Sequence, residues 1–533
     1  MITLQSMPPL MFGGLVLAML VGYPVAFTLA AVGISFGFVA IYQGFFDLNF
    51  LQAIPGRVFG NVLSNELLLA IPFFTFMGAV LERCGLAEDM LDSMGQLFGP
   101  IRGGLGYSVI IVGFILGAIT GTVAAQVIAM ALISMPVMIR YGYNMRYITG
   151  VLAASGTITQ LVPPSLVLIV LADQLGKSVG DMYLGAWGPS VLQVLLFAGY
   201  TFVLGIFKPE HLPPIPRDEL SLSGWPLWRK CLLGIVPSAV LIFVVLGTMM
   251  LGLATPTEAG AMGAIGAIVL AAMHHPDFSP LGRKVLIIGV IAGIIGTILG
   301  VLETQKLLFR ISFLISYLAV AWICIEAVRI ADLRSLIKQG YETTMRITTM
   351  VVFILIGSTC FSVVFLGVSG GVWLENMLTS LPGGVWGFLI FINLFIFFLA
   401  FFLDFFEIAF IILPMIAPIA QKILAPVVGA DAALIWFGVM LCVNMQTSFM
   451  HPPFGFALFY LRGVAPKEVK SSDIYWGALP WVGLQLFMVV LVIAFPLTVT
   501  ALLDKQTDVD TSKIRIDIPQ IEPLPLDFGE PRK

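Results

Sequence analysis

The sequence predicts an all-α polytopic membrane protein built as an inverted repeat with two re-entrant hairpins. Three observations carry that reading. Of the 533 residues, 59% are hydrophobic and 11% charged, and the mean hydropathy is +1.02, whereas a soluble domain needs about 25% charged residues to cover its surface. Apolar runs near the roughly 20 residues of a bilayer-spanning helix recur from Met11 to Phe495. Two of these runs are broken in the middle by small or acidic residues, and each is followed by a span carrying a Pro-Pro pair.

The elements follow in order. Residues 10–42 hold two spans pinched at Gly22-Tyr23-Pro24, and further runs fall at 60–82, 105–139, 147–172 and 186–207. Next come 231–252, 259–273, 284–302, 308–328, 347–367, 384–424, 433–461 and 476–497. The N-terminus has no basic n-region and no A-x-A site, so the first run reads as a retained span. Five units result: scaffold spans in 1–59, a first repeat in 60–207, a linking region in 208–346, a second repeat in 347–497 and a polar tail in 498–533.

The run 105–139 is interrupted at Gly117-Ala118-Ile119-Thr120-Gly121-Thr122, with Arg102 before it and Arg140 and Arg146 after it. Basic residues at both ends place both ends on the cytoplasmic side. A segment that enters and leaves on one side is a re-entrant hairpin, whose non-helical tip is tolerated only inside protein or beside a cavity. The run 384–424 has the same form around Leu403-Asp404-Phe405-Phe406-Glu407, and its poverty in Lys and Arg puts its ends outside. Basic clusters at Lys208–Lys230, Arg329–Arg346 and Arg462–Lys470 read as cytoplasmic turns, and both termini then lie outside.

The halves also match in sequence. Gly156-Thr157-Ile158-Thr159-Gln160-Leu161-Val162-Pro163-Pro164 leads to Asp181-Met182-Tyr183-Leu184-Gly185-Ala186. Asn444-Met445-Gln446-Thr447-Ser448-Phe449-Met450-His451-Pro452-Pro453 leads to Asp473-Ile474-Tyr475-Trp476-Gly477-Ala478. Proline removes a backbone donor and restrains the residue before it, so each pair breaks its span into half-helices. Broken helices at matched positions of two oppositely oriented halves point to a midplane binding site.

Candidate sodium- or substrate-binding residues sit at these breaks. In the first half they are Thr120, Gly121, Thr122, Gly156, Thr157, Thr159 and Pro163. In the second they are Asp404, Glu407, Asn444, Gln446, Thr447, Ser448, His451 and Pro452. A hard cation such as sodium takes oxygen ligands, which hydroxyls and unwound carbonyls supply. Threonine and glycine are also ordinary packing residues between membrane helices. Acids at membrane depth are costly and usually functional, although Asp404 and Glu407 at a tip also suit contact with water. His451 suits a proton relay, a substrate donor or a structural hydrogen bond. Thr255 and Pro256 read as a helix cap and first turn.

No cofactor is expected beyond Na+ as coupling ion. No G-x-x-x-x-G-K-[ST], H-E-x-x-H or G-x-S-x-G occurs, so neither ATP hydrolysis nor these hydrolase chemistries is expected. No basic stretch points to nucleic acid, and the five scattered cysteines show no metal-ligand spacing.

The motifs resemble the large membrane subunit, DctM type, of tripartite ATP-independent periplasmic (TRAP) transporters. The resembling stretches are Ile71-Pro72-Phe73-Phe74 with Gly78, the tip Gly117–Thr122, Gly156–Ser165, Thr255–Ala259, Leu403-Asp404 with Pro414, and Asn444–Gly455. They cover nearly the whole chain apart from about 275–340. The resemblance implies an elevator transporter of the ion-transporter superfamily type, driven by a sodium gradient. It implies a separate small membrane subunit (DctQ type) and a periplasmic substrate-binding protein. Uptake of a small organic acid across the bacterial inner membrane is then expected: a 2-oxo acid, a lactate-like acid or a dicarboxylate. Val123, Thr159, Phe405, Phe406, Glu407 and His451 depart from the family pattern, which bears most on the second-half side of the substrate pocket. The added segment 284–328 holds two spans and so preserves the orientation of everything after it. Two rival readings are a standalone anion transporter and an intramembrane enzyme using Asp404, Glu407 and His451; the second needs those side chains to converge on one point.

Overall fold

The computed structural model describes residues 3–220, 222, 224–301, 306–401, 403–451 and 455–503, and nothing but helices and their connections is present among them. Among the described residues, ten helices are long and apolar enough to cross a membrane, or up to 13 if each bent pair counts as one span.

The first hairpin is Gly104–Thr120 followed by Val123–Arg140, broken only at Gly121-Thr122. Gly121 has φ +63°, a left-handed conformation that glycine adopts without a Cβ penalty. The two ends lie side by side: Leu105 N–H donates to the Tyr143 hydroxyl at 3.3 Å. Both ends also bond one connector, Gly103 N–H to Leu212 O at 3.2 Å and Asn144 N–H to His211 O at 3.0 Å. They therefore sit with the charged loop that follows Val179–Phe207.

The second hairpin is Gly384–Leu399 followed by Phe405–Ile411 and Leu413–Val428. Its returning arm bends by 64° at Ile412, a feature absent from the sequence reading. Pro414 explains it, because the ring lacks the N–H that would continue the ladder across the bend. Both ends meet the helix Gly370–Thr379, which leads into the first arm, while Lys422 near the end of the second arm bonds Glu375 at 2.7 Å.

The helix Ala331–Gly367 fixes the opposite orientation of the two hairpins. Its 37 residues span about 55 Å at 1.5 Å per residue. Near its start Gln339 accepts from Arg83 at 2.7 Å. Arg83 ends the helix Ala70–Arg83, and the amphipathic Leu86–Phe98 runs from there to the base of the first hairpin. At its other end, past Gly367, comes Gly370–Thr379 and the base of the second hairpin. Within Arg329–Arg346 the chain turns at Ile330, and the basic residues from Arg334 to Arg346 form the first turns of the long helix. Val25–Tyr42 runs parallel to that helix at backbone contact. A Cβ on Gly33 would lie 2.7 Å from Phe361 Cα, and one on Gly357 would lie 2.2 Å from Ala26 O.

The inserted segment forms Pro280–Val301 and Lys306–Arg329, which pack chiefly on each other. Glycines permit the approach: a Cβ on Gly289 would lie 2.5 Å from Ala319 Cβ. The tail is not free from its start. Leu497–Thr500 is helical and docks on Val179–Phe207, where a Cβ on Gly188 would fall 2.0 Å from Thr498 O. Residues 504–533 lie outside the described residues.

Candidate functional site

The two broken spans take matching forms. Met145–Thr157 passes through a tight turn at Ile158–Gln160 and the Pro163-Pro164 pair into Leu166–Gln174. Ala430–Met445 passes through Gln446–Phe449 into Phe456–Val464, and Pro452 lies outside the described residues. The packing is crossed. The second arm of the first hairpin packs on Phe456–Val464, and Phe405–Ile411 of the second packs on Leu166–Gln174.

At the first break the hydroxyls turn back on the chain. Thr157 donates to Ala154 O at 2.8 Å and Thr159 to Gly156 O at 2.7 Å. Thr159 also meets the amide oxygen of Gln126. Gln126, from the second hairpin arm, donates to Gly113 O at 2.7 Å and Ser155 O at 3.1 Å. One amide thereby ties both arms to the broken helix. Glycine lets the backbones close: a Cβ on Gly156 would fall 2.2 Å from Val127 Cγ2 and one on Gly117 3.1 Å from Thr159 Cα. Pro163 is buried in the break, and Ser165 after the proline pair caps Leu166–Gln174 through Val167 N–H at 3.1 Å. Thr122 is extended and makes no capping bond through its side chain. Thr120 closes the first arm; its side chain is outside the described set.

The second break repeats the device. Asn444 donates to Asn393 O at 2.8 Å and Oδ1 at 3.0 Å, joining the break to the first arm of its hairpin. Thr447 donates to Asn444 O and Ser448 to Met445 O, each at 2.7 Å. Gln446 is fully buried, and neither its amide oxygen nor its nitrogen has a hydrogen-bond partner among the described residues. The same holds for Asn444 Oδ1 and Gln160 Oε1.

The acids of the second tip bond each other's backbone. Asp404 Oδ1 accepts Glu407 N–H at 2.8 Å, and Glu407 Oε2 accepts Asp404 N–H at 2.9 Å. This capping box starts Phe405–Ile411. Thr255 and Glu258 make the same box at Pro256–His274, where the cap was expected. His451 is buried between two rings of the hairpin, stacked on Phe401 at 4.1 Å and edge-on to Phe397 at 4.4 Å.

The halves meet at Gln485, which donates to Thr157 Oγ1 at 2.8 Å and contacts Met450 Sδ at 3.6 Å. Cys442 reaches Gln160 O at 3.3 Å. Gln485 lies twelve residues after Asp473, and Gln193 lies twelve after Asp181. Both are fully buried. Gln126, Asn393, Gln193 and Gln485 are the functional candidates that sequence reasoning missed. The repeat offset signals the last two, and an amide inside an apolar run signals all four.

Residues 12–498 match the profile of the Tripartite ATP-independent periplasmic transporter, DctM component. The chain belongs to the DctM family. Among its relatives is the C4-dicarboxylate TRAP transporter large permease protein DctM of Vibrio cholerae. It is 26% identical over 90% of this chain and 93% of its own length. The 2,3-diketo-L-gulonate TRAP transporter large permease protein YiaN of Escherichia coli is 24% identical over 89% and 93%. The Alcanivorax borkumensis YdaH transporter, a solved structure, aligns at TM-score 0.47 and 15% identity over 85% of this chain and 90% of that one. This permease is therefore a multi-pass membrane transporter subunit and not an enzyme.

Proposed function

We propose that this permease takes up a small organic acid across the bacterial inner membrane in symport with sodium. In this reading it works with a separate small membrane subunit and a periplasmic binding protein that delivers the acid to the outer face. The observation that carries it is the meeting of two oppositely oriented broken helices at Thr157, Gln485 and Met450, with each break tied to its own hairpin through an amide.

Sodium, as cargo, takes oxygen ligands. The buried, unpartnered Gln446 Oε1, Asn444 Oδ1 and Gln160 Oε1 suit that need. The hydroxyls of Thr159, Thr447 and Ser448 donate backwards and keep lone pairs for a cation. The acid's carboxylate is favoured at a half-helix N-terminus, where amides point outward. Phe405–Ile411 is closed to it by the Asp404 carboxylate. Phe456–Val464 starts at Gly455 with no side-chain cap, which makes it the better anchor. The hairpins and breaks then move together as an elevator against the helices of Val25–Tyr42 and Ala331–Gly367.

Sodium-gradient-driven uptake by this chain with its small subunit and binding protein in proteoliposomes tests the proposal. Full uptake under a proton gradient alone refutes the sodium coupling. Equal uptake of free acid without the binding protein favours a standalone transporter.

A further inference from the structure

The motif Thr255-Pro256-Thr257-Glu258 lies outside both breaks. Its Thr257 hydroxyl donates to Glu66 O at 2.9 Å. Glu66 opens the helical stretch that follows a 48° bend between Leu48–Leu63 and Glu66–Arg83. Asn65 stands in that bend, and it does two things. Its Oδ1 accepts Leu67 N–H at 3.0 Å, which caps the new turn, and its Nδ2 donates to Asp173 Oδ1 at 2.7 Å. The other Asp173 oxygen accepts from Gln174 at 2.8 Å. An amide that donates to a carboxylate makes the stronger, charge-assisted kind of hydrogen bond.

The two partners belong to different blocks. Ala70–Arg83, which continues the chain from Asn65, packs chiefly on Pro256–His274 and Ala331–Gly367. Small residues close that contact: a Cβ on Gly260 would lie 2.9 Å from Phe73 Cβ, and one on Gly263 2.6 Å from Met77 Sδ. In the elevator reading these helices stay in place. Asp173 belongs to Leu166–Gln174, the far half of the first broken span, which moves with the hairpins. The chain runs from the base of the first hairpin through the break to Asp173, then returns along Val179–Phe207 to the connector at that base. The pair therefore sits at the face opposite the first hairpin's ends. Ser358 Oγ, donating to Phe410 O at 2.5 Å, crosses the same boundary at the second hairpin.

We propose that Asn65 and Asp173 form a latch that holds the moving block in the position seen, and that Thr257 is the positioning residue that sets Asn65 for it. The inference rests on the transporter reading above. A hydrogen bond is lost once its atoms part beyond about 3.5 Å, so a slide of even about 1 Å opens this one. Each transport cycle then breaks the latch and makes it again. Asn65 keeps its place while the latch is open, because its Oδ1 stays on Leu67 N–H and Thr257 holds the neighbouring carbonyl. Thr257 is itself fixed in the first turn of Pro256–His274 by the capping box of Thr255 and Glu258. The motif thus works at the boundary between the blocks, away from the cargo.

The test uses the full chain with its small subunit and binding protein in proteoliposomes, and radiolabelled succinate, pyruvate and lactate as probes. The acid that the unsubstituted protein accumulates serves for every variant. In the double variant Asn65→Cys, Asp173→Cys, the reducible linker 1,2-ethanediyl bismethanethiosulfonate should join the two positions, read by mass spectrometry of the linked peptides. Uptake should then fall at least tenfold and return on reduction. Asn65→Cys and Asp173→Cys alone, treated alike, control for the five native cysteines. Linked protein that keeps more than half of its uptake overturns the latch, and so does a pair that does not link. Asn65→Asp keeps the cap but sets two carboxylates face to face, and uptake per folded molecule should fall at least fivefold. Asn65→Asp combined with Asp173→Asn restores an amide–carboxylate pair and should return uptake to within twofold of the unsubstituted protein. A swap no better than Asn65→Asp alone overturns the pairing. Thr257→Val should lower uptake two- to threefold at an unchanged melting temperature, with Thr257→Ser, which keeps the hydroxyl, near normal; normal uptake by Thr257→Val overturns its positioning role. Absence of uptake for every acid by the unsubstituted protein counts against the transporter reading itself.

Discussion

Replacing Gln126 by leucine removes one amide from the first break while keeping nearly the same volume. The amide donates to Gly113 O at 2.7 Å and Ser155 O at 3.1 Å and accepts from Thr159. Hydrogen bonds between membrane helices average about 0.6 kcal/mol each, so the three together contribute about 2 kcal/mol. Gly113 O keeps its place in its own helix, so no full desolvation penalty is added there. If that clamp orders the break for cation binding, its loss weakens sodium affinity by as much as about 30-fold, since 1.4 kcal/mol is a factor of ten. The assay is the sodium concentration giving half-maximal uptake, read beside the melting temperature of the purified protein. A sodium half-saturation within twofold of the unsubstituted protein, together with an unchanged melting temperature, refutes the reasoning. A lowered melting temperature alone confines Gln126 to packing.

Other substitutions separate the remaining roles. Asp404→Asn keeps a good N-cap but removes the charge, and uptake is expected to fall more than tenfold at equal expression; normal uptake limits Asp404 to the capping box. Gln485→Leu breaks the link to Thr157 and should slow sodium-driven uptake several-fold with only a small change in melting temperature; a large melting shift with normal uptake per folded molecule contradicts this. Gly188→Ala drives a Cβ to within 2.0 Å of Thr498 O, backbone against backbone, and should lower stability by about 1–3 kcal/mol. Thermal unfolding indistinguishable from the unsubstituted protein shows that Leu497–Thr500 docks elsewhere.

Much of this architecture is legible in one sequence because membrane spans leave strong signatures. The hairpins were readable from small or acidic residues inside apolar runs, and the broken helices from Pro163-Pro164 and its repeat mate. What stayed hidden depends on tertiary partners. The Arg329–Arg346 stretch reads as a turn because it is charged, yet only Ile330 breaks the helices there, and the good helix formers after it open Ala331–Gly367. The bend at Ile412 needs Pro414 together with packing on Leu166–Gln174. Asp404 and Glu407 read as costly membrane acids, but their spacing of three is also that of a capping box, and the structure uses it so. Gln126 and Asn393 carry no motif; their meaning appears only when the arms fold back on the breaks. His451 was visible as a departure, but its partners Phe397 and Phe401 lie some fifty residues away in sequence.

The most direct measurement is uptake into proteoliposomes holding this chain and its small subunit, with the loaded binding protein outside. Uptake should appear with an inward sodium gradient and the binding protein, and should vanish when either is withheld. Accumulation that persists without sodium, or that proceeds equally without the binding protein, contradicts a sodium-driven tripartite transporter centred on the two broken helices.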